Sequence, residues 1–194
     1  MKTQIHSILK SGAALLCLFL VAGCGGGLVV PLDYTPVANQ QRCEADIGVQ
    51  PLLDTRAQEQ LGQTHRGGRY FPQGSVSQWA SQALYKELAE MGCQQISYLE
   101  NGAAAPPTWV ISGAVTHLAI NQTGVFQFAG GLGLRLTLSH QGTKVFEKEY
   151  TINEKRTALP DSDVPPELVQ SMLQDVFREA VPNLVRIIEQ HRRP

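Results

Sequence analysis

Apolar and polar positions alternate along residues 126–138. Phe126, Phe128, Leu132, Leu134, Leu136 and Leu138 share one parity, while Gln127, Arg135 and Thr137 share the other. A period of two sends successive side chains to opposite faces, so this stretch predicts a strand with one buried and one wet face. Gly130, Gly131 and Gly133 interrupt the pattern and predict a bulge or a strong bend. Before it, TWVISGAVTHLAINQ (108–122) predicts a long strand from its β-rich composition. After it, HQGT (140–143) predicts a hairpin turn and KVFEKEYTINEKRT (144–157) the returning strand.

Two other stretches follow the helical period. In SVSQWASQALYKELAEMG (75–92), Val76, Trp79, Ala80, Ala83, Leu84, Leu88 and Met91 fall on one face. Ser75 with Gln78 three residues on predicts a capping box, and Gly92 a stop. Trp79 reads as a core residue. Near the C-terminus, Leu168, Met172, Leu173, Val176, Phe177, Ala180, Leu184, Val185 and Ile188 form a broad apolar stripe. Pro165 and Pro166 suit its first turn, Pro182 predicts a kink, and Arg192 and Arg193 suit its end. ADIGVQPLL (45–53) and QQISYLE (94–100) read as shorter strands. The polar, glycine-rich stretch between 57 and 74 reads as a loop, and a loop of that length is usually functional or disordered.

The predicted order is strand, helix, strand, three antiparallel strands, helix. It corresponds to an α+β fold: a two-layer sandwich with a mostly antiparallel sheet of four to five strands and two helices packed on one face. The other sheet face would be open or covered by a partner.

The N-terminal 23 residues have a different pattern. Lys2 and Lys10 precede an apolar run, Ala13 to Ala22, and small residues follow. That is the layout of a secretory signal, and the run is shorter than the roughly 20 residues needed to span a bilayer. Val21-Ala22-Gly23-Cys24 resembles the bacterial lipobox, which implies cleavage before Cys24 and acylation of its sulfur and amino group. Stable anchoring takes more than one acyl chain, and diacylglyceryl and N-acyl groups would supply them. Gly25 in place of Asp lacks the inner-membrane retention signal of enterobacteria-like sorting. The expected location is therefore an outer-membrane anchor facing the periplasm. The expected organisation is a signal peptide over 1–23, a flexible tether over 24–42, and one domain over 43–194.

Charge and candidate chemistry narrow the function. Without Lys2 and Lys10, 14 Lys and Arg face 17 Asp and Glu, a formal charge of −3. That balance argues against a nucleic-acid partner. The histidines form no H-x₃-H or HExxH pair, and His117 reads as a packed or solvated strand residue. GGLGLRL lacks the strand-to-helix setting of a phosphate loop, and no G-x-S-x-G elbow occurs. NQT at 121–123 reads as a turn. No catalytic, metal or cofactor site is expected. Of the four cysteines, Cys17 leaves with the signal and Cys24 carries lipid. Cys43 precedes the first strand and Cys93 follows the first helix. A helix running back along its strand brings these two positions together, so a Cys43–Cys93 disulfide is expected in an oxidising compartment.

The lipobox, SQWASQALYKELAEMGCQ, PTWVISGAVTHLAINQ, RLTLSHQGTKVFEKEYTINEK and ELVQSMLQDVFREAVPNLVRIIEQ together resemble the YajG-like bacterial lipoproteins. The resemblance implies a periplasm-facing lipoprotein and brings over Cys24 but no catalytic residue. Similar two-layer domains occur in auxiliary lipoproteins of lipid transport and in lipoprotein activators of cell-wall synthases. The expected function is a non-catalytic adaptor or assembly factor that binds an envelope protein through the open sheet face or the 57–74 loop. The alternative is a lipid or apolar-ligand binding component of a transport system, using Phe126, Phe128 and Leu132. An envelope hydrolase is disfavoured because no catalytic constellation is found.

Overall fold

The structure, a computed structural model, describes residues 27–37, 43–99, 107–158 and 163–192. In chain order the elements are β1 (Leu28–Val30), β2 (Cys43–Val49), β3 (Leu53–Asp54), β4 (Gly62–Gln63), β5 (Arg69–Pro72), α1 (Val76–Glu90), β6 (Cys93–Tyr98), β7 (Trp109–Gln122), β8 (Gln127–His140), β9 (Thr143–Thr157) and α2 (Val164–Arg192).

The antiparallel meander predicted from period-two alternation is present. β7 pairs with β8 from Trp109/His140 to Gln122/Phe128, and β8 pairs with β9 along its whole length. The β8–β9 turn uses Gln141 (φ 50°) and Gly142 (φ 80°), the two positive φ values that a tight two-residue hairpin requires. Leu132, Leu134, Leu136 and Leu138 are all fully buried on one face.

The sheet is larger and more mixed than expected. It has nine strands among the described residues, in place of four to five, and much of it is parallel. On its second side β7 runs parallel to β2, β3 and β4, β2 runs parallel to β6, and β1 runs parallel to β5. The β2–β6 pairing has a simple origin. The helix α1 lies between these strands, and a helical crossover returns the chain in its original direction. The extra strands are two to four residues long, too short to leave a periodic signal.

Two of these pieces lie in the stretch read as a loop. Leu61 and Tyr70 are buried, and their backbones pair across β4 and β5. The strand expected over 45–53 ends early because Pro51 has no N–H to give to the ladder. Its neighbour Gln50 instead donates to the Ile111 carbonyl at 2.8 Å.

The bulge also differs from expectation. The extra residue, Thr116, is on β7, between Val115 and His117, opposite Gly133 of β8 and not within β8 itself. The glycines make room for it: a Cβ on Gly133 would lie 2.5 Å from Thr116 Oγ1, and one on Gly131 3.2 Å from His117 Nε2.

Both helices cover the same sheet face. Ser75 caps α1 by accepting from the Gln78 N–H, and the apolar face of α1 is buried as its period predicts. The α2 stripe from Leu168 to Ile188 is buried against β8 and β9, and the helix continues through Pro182. Among the described residues the buried apolar side chains join a single core.

Residues 27–37, read from sequence as part of a flexible tether, are packed on the domain. Leu28–Val30 forms an edge strand along β5, and the chain then crosses the helices. Tyr34 packs edge-on against Phe177 of α2 and donates to the carboxylate of Glu87 on α1. Glu87 also accepts from the Val37 N–H at 2.8 Å, while Trp79 Nε1 donates to the Asp33 carbonyl and Gln174 Nε2 to the Thr35 carbonyl. Glycine and proline punctuation conceals this strap, because its hold comes from groups far away in sequence.

Candidate functional site

The sheet face turned away from the helices carries the polar parity of the long strands. Ser112, Thr116, His117, Asn121, Arg135 and Thr137 lie on it, with Glu147 and Glu149 from β9. These groups are tied to one another. Thr116 Oγ1 donates to Glu149 at 2.8 Å, Arg135 pairs with Glu149 at 3.5 Å, and Lys144 pairs with Glu147 at 3.4 Å. Such a surface is wet and mutually neutralised, and the charges along β9 discourage edge-to-edge pairing.

Two clefts open beside this face. One, of about 420 Å³, lies between the 56–63 segment and β7, with Arg56, Gln58, Gln63, His117 and Asn121 in its walls. The other, of about 590 Å³, lies near the β8–β9 turn and includes Gln50, Val110, Ser112 and Gln141. The first wall combines amide groups, Arg56 and His117 with apolar side chains, and the second combines amides with the hydroxyls of Thr108, Ser112 and Ser139. They can bind by hydrogen bonding and shape, and they place no nucleophile beside a base.

Arg56 is the most constrained polar side chain of the first cleft. Its Nε and Nη2 donate to the two carboxylate oxygens of Asp54 at 2.9 and 2.8 Å. The side chain is only 7% exposed, and among the described residues its Nη1 has no hydrogen-bond partner. The Arg56 guanidinium holds the Asp54 carboxyl below its usual range. Nothing in the sequence marks this pair beyond Asp54 and Arg56 being two residues apart.

The residues singled out from sequence are dispersed. Cys43 and Cys93 are joined in a disulfide across β2 and β6. Cys24 lies outside the described residues. Phe128 and Leu132 are in the core, whereas Phe126 precedes β8 and is 52% exposed, so these three form no continuous apolar ligand face. His140 stacks on Trp109 with ring centres 4.3 Å apart, His191 meets the same ring edge-on, and His117 lines the first cleft. Among the described residues no three His, Cys, Asp or Glu side chains are grouped to hold a metal ion, and no helix is long and apolar enough to cross a membrane.

No protein-family model matches the chain, and no curated protein matches it in sequence. Its fold is similar to that of solved structures. The crystal structure of protein XCC0632 from Xanthomonas campestris, with the family designation DUF330, superposes with a TM-score of 0.68 at 10% identity, covering 87% of this chain and all of that one. An uncharacterized protein superposes with a TM-score of 0.51 at 14% identity, over 79% of this chain and 99% of the other. Rare lipoprotein B from Shewanella oneidensis gives a TM-score of 0.41 at 8% identity, over 73% and 97%.

Proposed function

We propose that this chain is a bacterial envelope lipoprotein, held by acyl groups on Cys24, that works as a non-catalytic adaptor. The observation that carries the reading is the distribution of cover. Both helices and the N-terminal strap occupy one side of the sheet, while the opposite face of β7–β8 stays uncovered between two clefts. A face built from hydroxyls, amides and paired charges suits a polar protein partner. The finer expectations, a YajG-like lipoprotein at the outer membrane facing the periplasm, rest on the sequence patterns and on Gly25. The apolar-ligand alternative is weakened, because Phe128 and Leu132 are occupied in core packing.

A photo-crosslinking residue at Thr137 or Asn121, in intact cells, tests the adaptor role. Capture of one defined envelope protein is expected from these positions and not from Arg178 on the helix side. Equal labelling from both sides would overturn it. For the anchor, Cys24→Ala should release the protein from membranes and leave its precursor uncleaved at this position.

A further inference from the structure

We propose that the end of the domain nearest Cys24 rests on the lipid surface, with the β7–β8 turn and the β1 edge inserted among the headgroups. The inference rests on the lipoprotein reading of Cys24. It starts from where exposed apolar groups collect. Of the seven large hydrophobic side chains exposed among the described residues, five gather here: Leu28, Val29, Phe71, Val125 and Phe126.

Strand register brings them together. β4 runs parallel to the last residues of β7, with Gln63 beside Asn121. β5 returns antiparallel, with Arg69 opposite Gln63, and β1 follows β5 with Leu28 beside Tyr70. The start of β1 thus lies at the same end as Gln122 and the turn holding Val125 and Phe126. A groove of about 430 Å³ at this end includes Leu28, Val29, Gln122 and Phe128 in its walls. The Phe71 ring covers Gly27, whose Cβ would lie 2.8 Å from it.

Two further observations commit this end to lipid. Gly27 is three residues from Cys24 in sequence. Extended chain covers at most about 3.6 Å per residue, so an acylated Cys24 keeps Gly27 within ~11 Å of the anchor. No longer reach is available to lift this end clear of the headgroups. The charges also fit. Arg66 and Arg69, at the β4–β5 turn, and Lys155, opposite Ala129 on β9, are exposed and have no ion-pair partner among the described residues. Arg156 nearby is taken up by Glu154 and Glu167, and Asp163 is an acidic group at the same end. Free basic groups beside exposed aliphatic and aromatic side chains are the combination that an anionic interface attracts.

The test uses the lipidated, processed protein in vesicles of phosphatidylethanolamine with a minority of phosphatidylglycerol. Phe126→Cys provides an exposed site for a polarity-sensitive fluorophore, and Val125→Cys serves as a second reporter at the same turn. Thr143→Cys, at the opposite end of β8–β9, is the reference. Spin-labelled lipid is expected to quench the probes at 125 and 126 several-fold more than the probe at 143, and aqueous iodide the reverse. Equal quenching at the two ends, from protein that floats with the vesicles, would overturn the seating and leave the anchor intact. Protein that carries no acyl chain and fails to float would overturn both.

Discussion

Cys43 and Cys93 are neighbours in two senses. Their sulfurs are bonded, and their Cα atoms, 4.5 Å apart, are register partners on parallel β2 and β6. The bridge closes the loop that contains β3, β4, β5 and α1. For a sequence separation of 50 the chain-entropy relation gives about 4 kcal/mol of stabilisation as an upper figure. Replacing both residues, Cys43→Ala with Cys93→Ala, should lower stability by about 2–4 kcal/mol while keeping the fold, since the β2–β6 hydrogen bonds remain. Denaturant midpoints with and without reductant check this. A wild-type midpoint unmoved by reductant would refute it.

Besides the bonds from Trp79 and Gln174, one phenol and one carboxylate tie the strap to the helices. Burial, and then the hydrogen bond to Glu87, raise the Tyr34 phenol well above its ordinary range. The folded form therefore holds a proton that the unfolded chain releases above pH about 10. Stability from this group is complete below that value and is lost as pH rises beyond it. Tyr34→Phe should cost about 1–3 kcal/mol near neutral pH, the range for leaving a buried acceptor, Glu87, without its phenol donor. It should also flatten the alkaline fall in the urea midpoint. Any slope that remains belongs in part to Tyr70, which burial also raises. An identical alkaline profile for wild type and variant would exclude this role of Tyr34.

Long periodic elements were legible because their signals are local. The alternation at 128–138, the α1 face and the α2 stripe each repeat over several turns or residue pairs, and each is buried as its period requires. The cysteine pair was legible from topology alone. What escaped was held by distant groups. β1, β4 and β5 exist because β7 and one another offer backbone partners, and Tyr34 is fixed by Glu87, 53 residues away. Phe126 matched the parity of its neighbours but lies just before the strand, in a turn whose ends are tied by Thr123 and Ala158. The candidate cleft was invisible for the same reason: its walls come from the 56–63 segment and from β7.

Gly62 should be the least replaceable residue of the cleft wall. Its φ is 142°, and an added Cβ would fall 2.0 Å from the Ile120 carbonyl oxygen, a backbone atom that cannot swing aside. Gly62→Ala is expected to cost more than the roughly 1–3 kcal/mol of backbone strain alone and to open the β4–β7 pairing. Gly67→Ala, at φ 84° with nothing within 4 Å, bears only the strain and should cost less. Thermal unfolding ranks the two variants, and amide exchange at 61–63 locates the opening. A Gly62→Ala protein as stable as Gly67→Ala would contradict the close approach.

Asp54 and Arg56 should make the same wall sensitive to acid. Because the Asp54 carboxyl is held below its usual range, chiefly by the hydrogen bonds from Arg56, its contribution is present above the unfolded-state value near pH 4 and disappears as pH falls through the lower folded-state value. Asp54 is one-third exposed, so solvent screens the pair and the effect on global stability should be small. The local effect should be larger. Arg56 is buried, and losing the carboxylate leaves most of its guanidinium without an acceptor. Relative to free arginine at the same pH, the Arg56 Nε–H proton should be strongly protected from exchange near neutral pH and should lose that protection once Asp54 is protonated. In Asp54→Asn the protection should be lost at neutral pH as well. Protection that persists in that variant would show that Arg56 is held by groups other than Asp54.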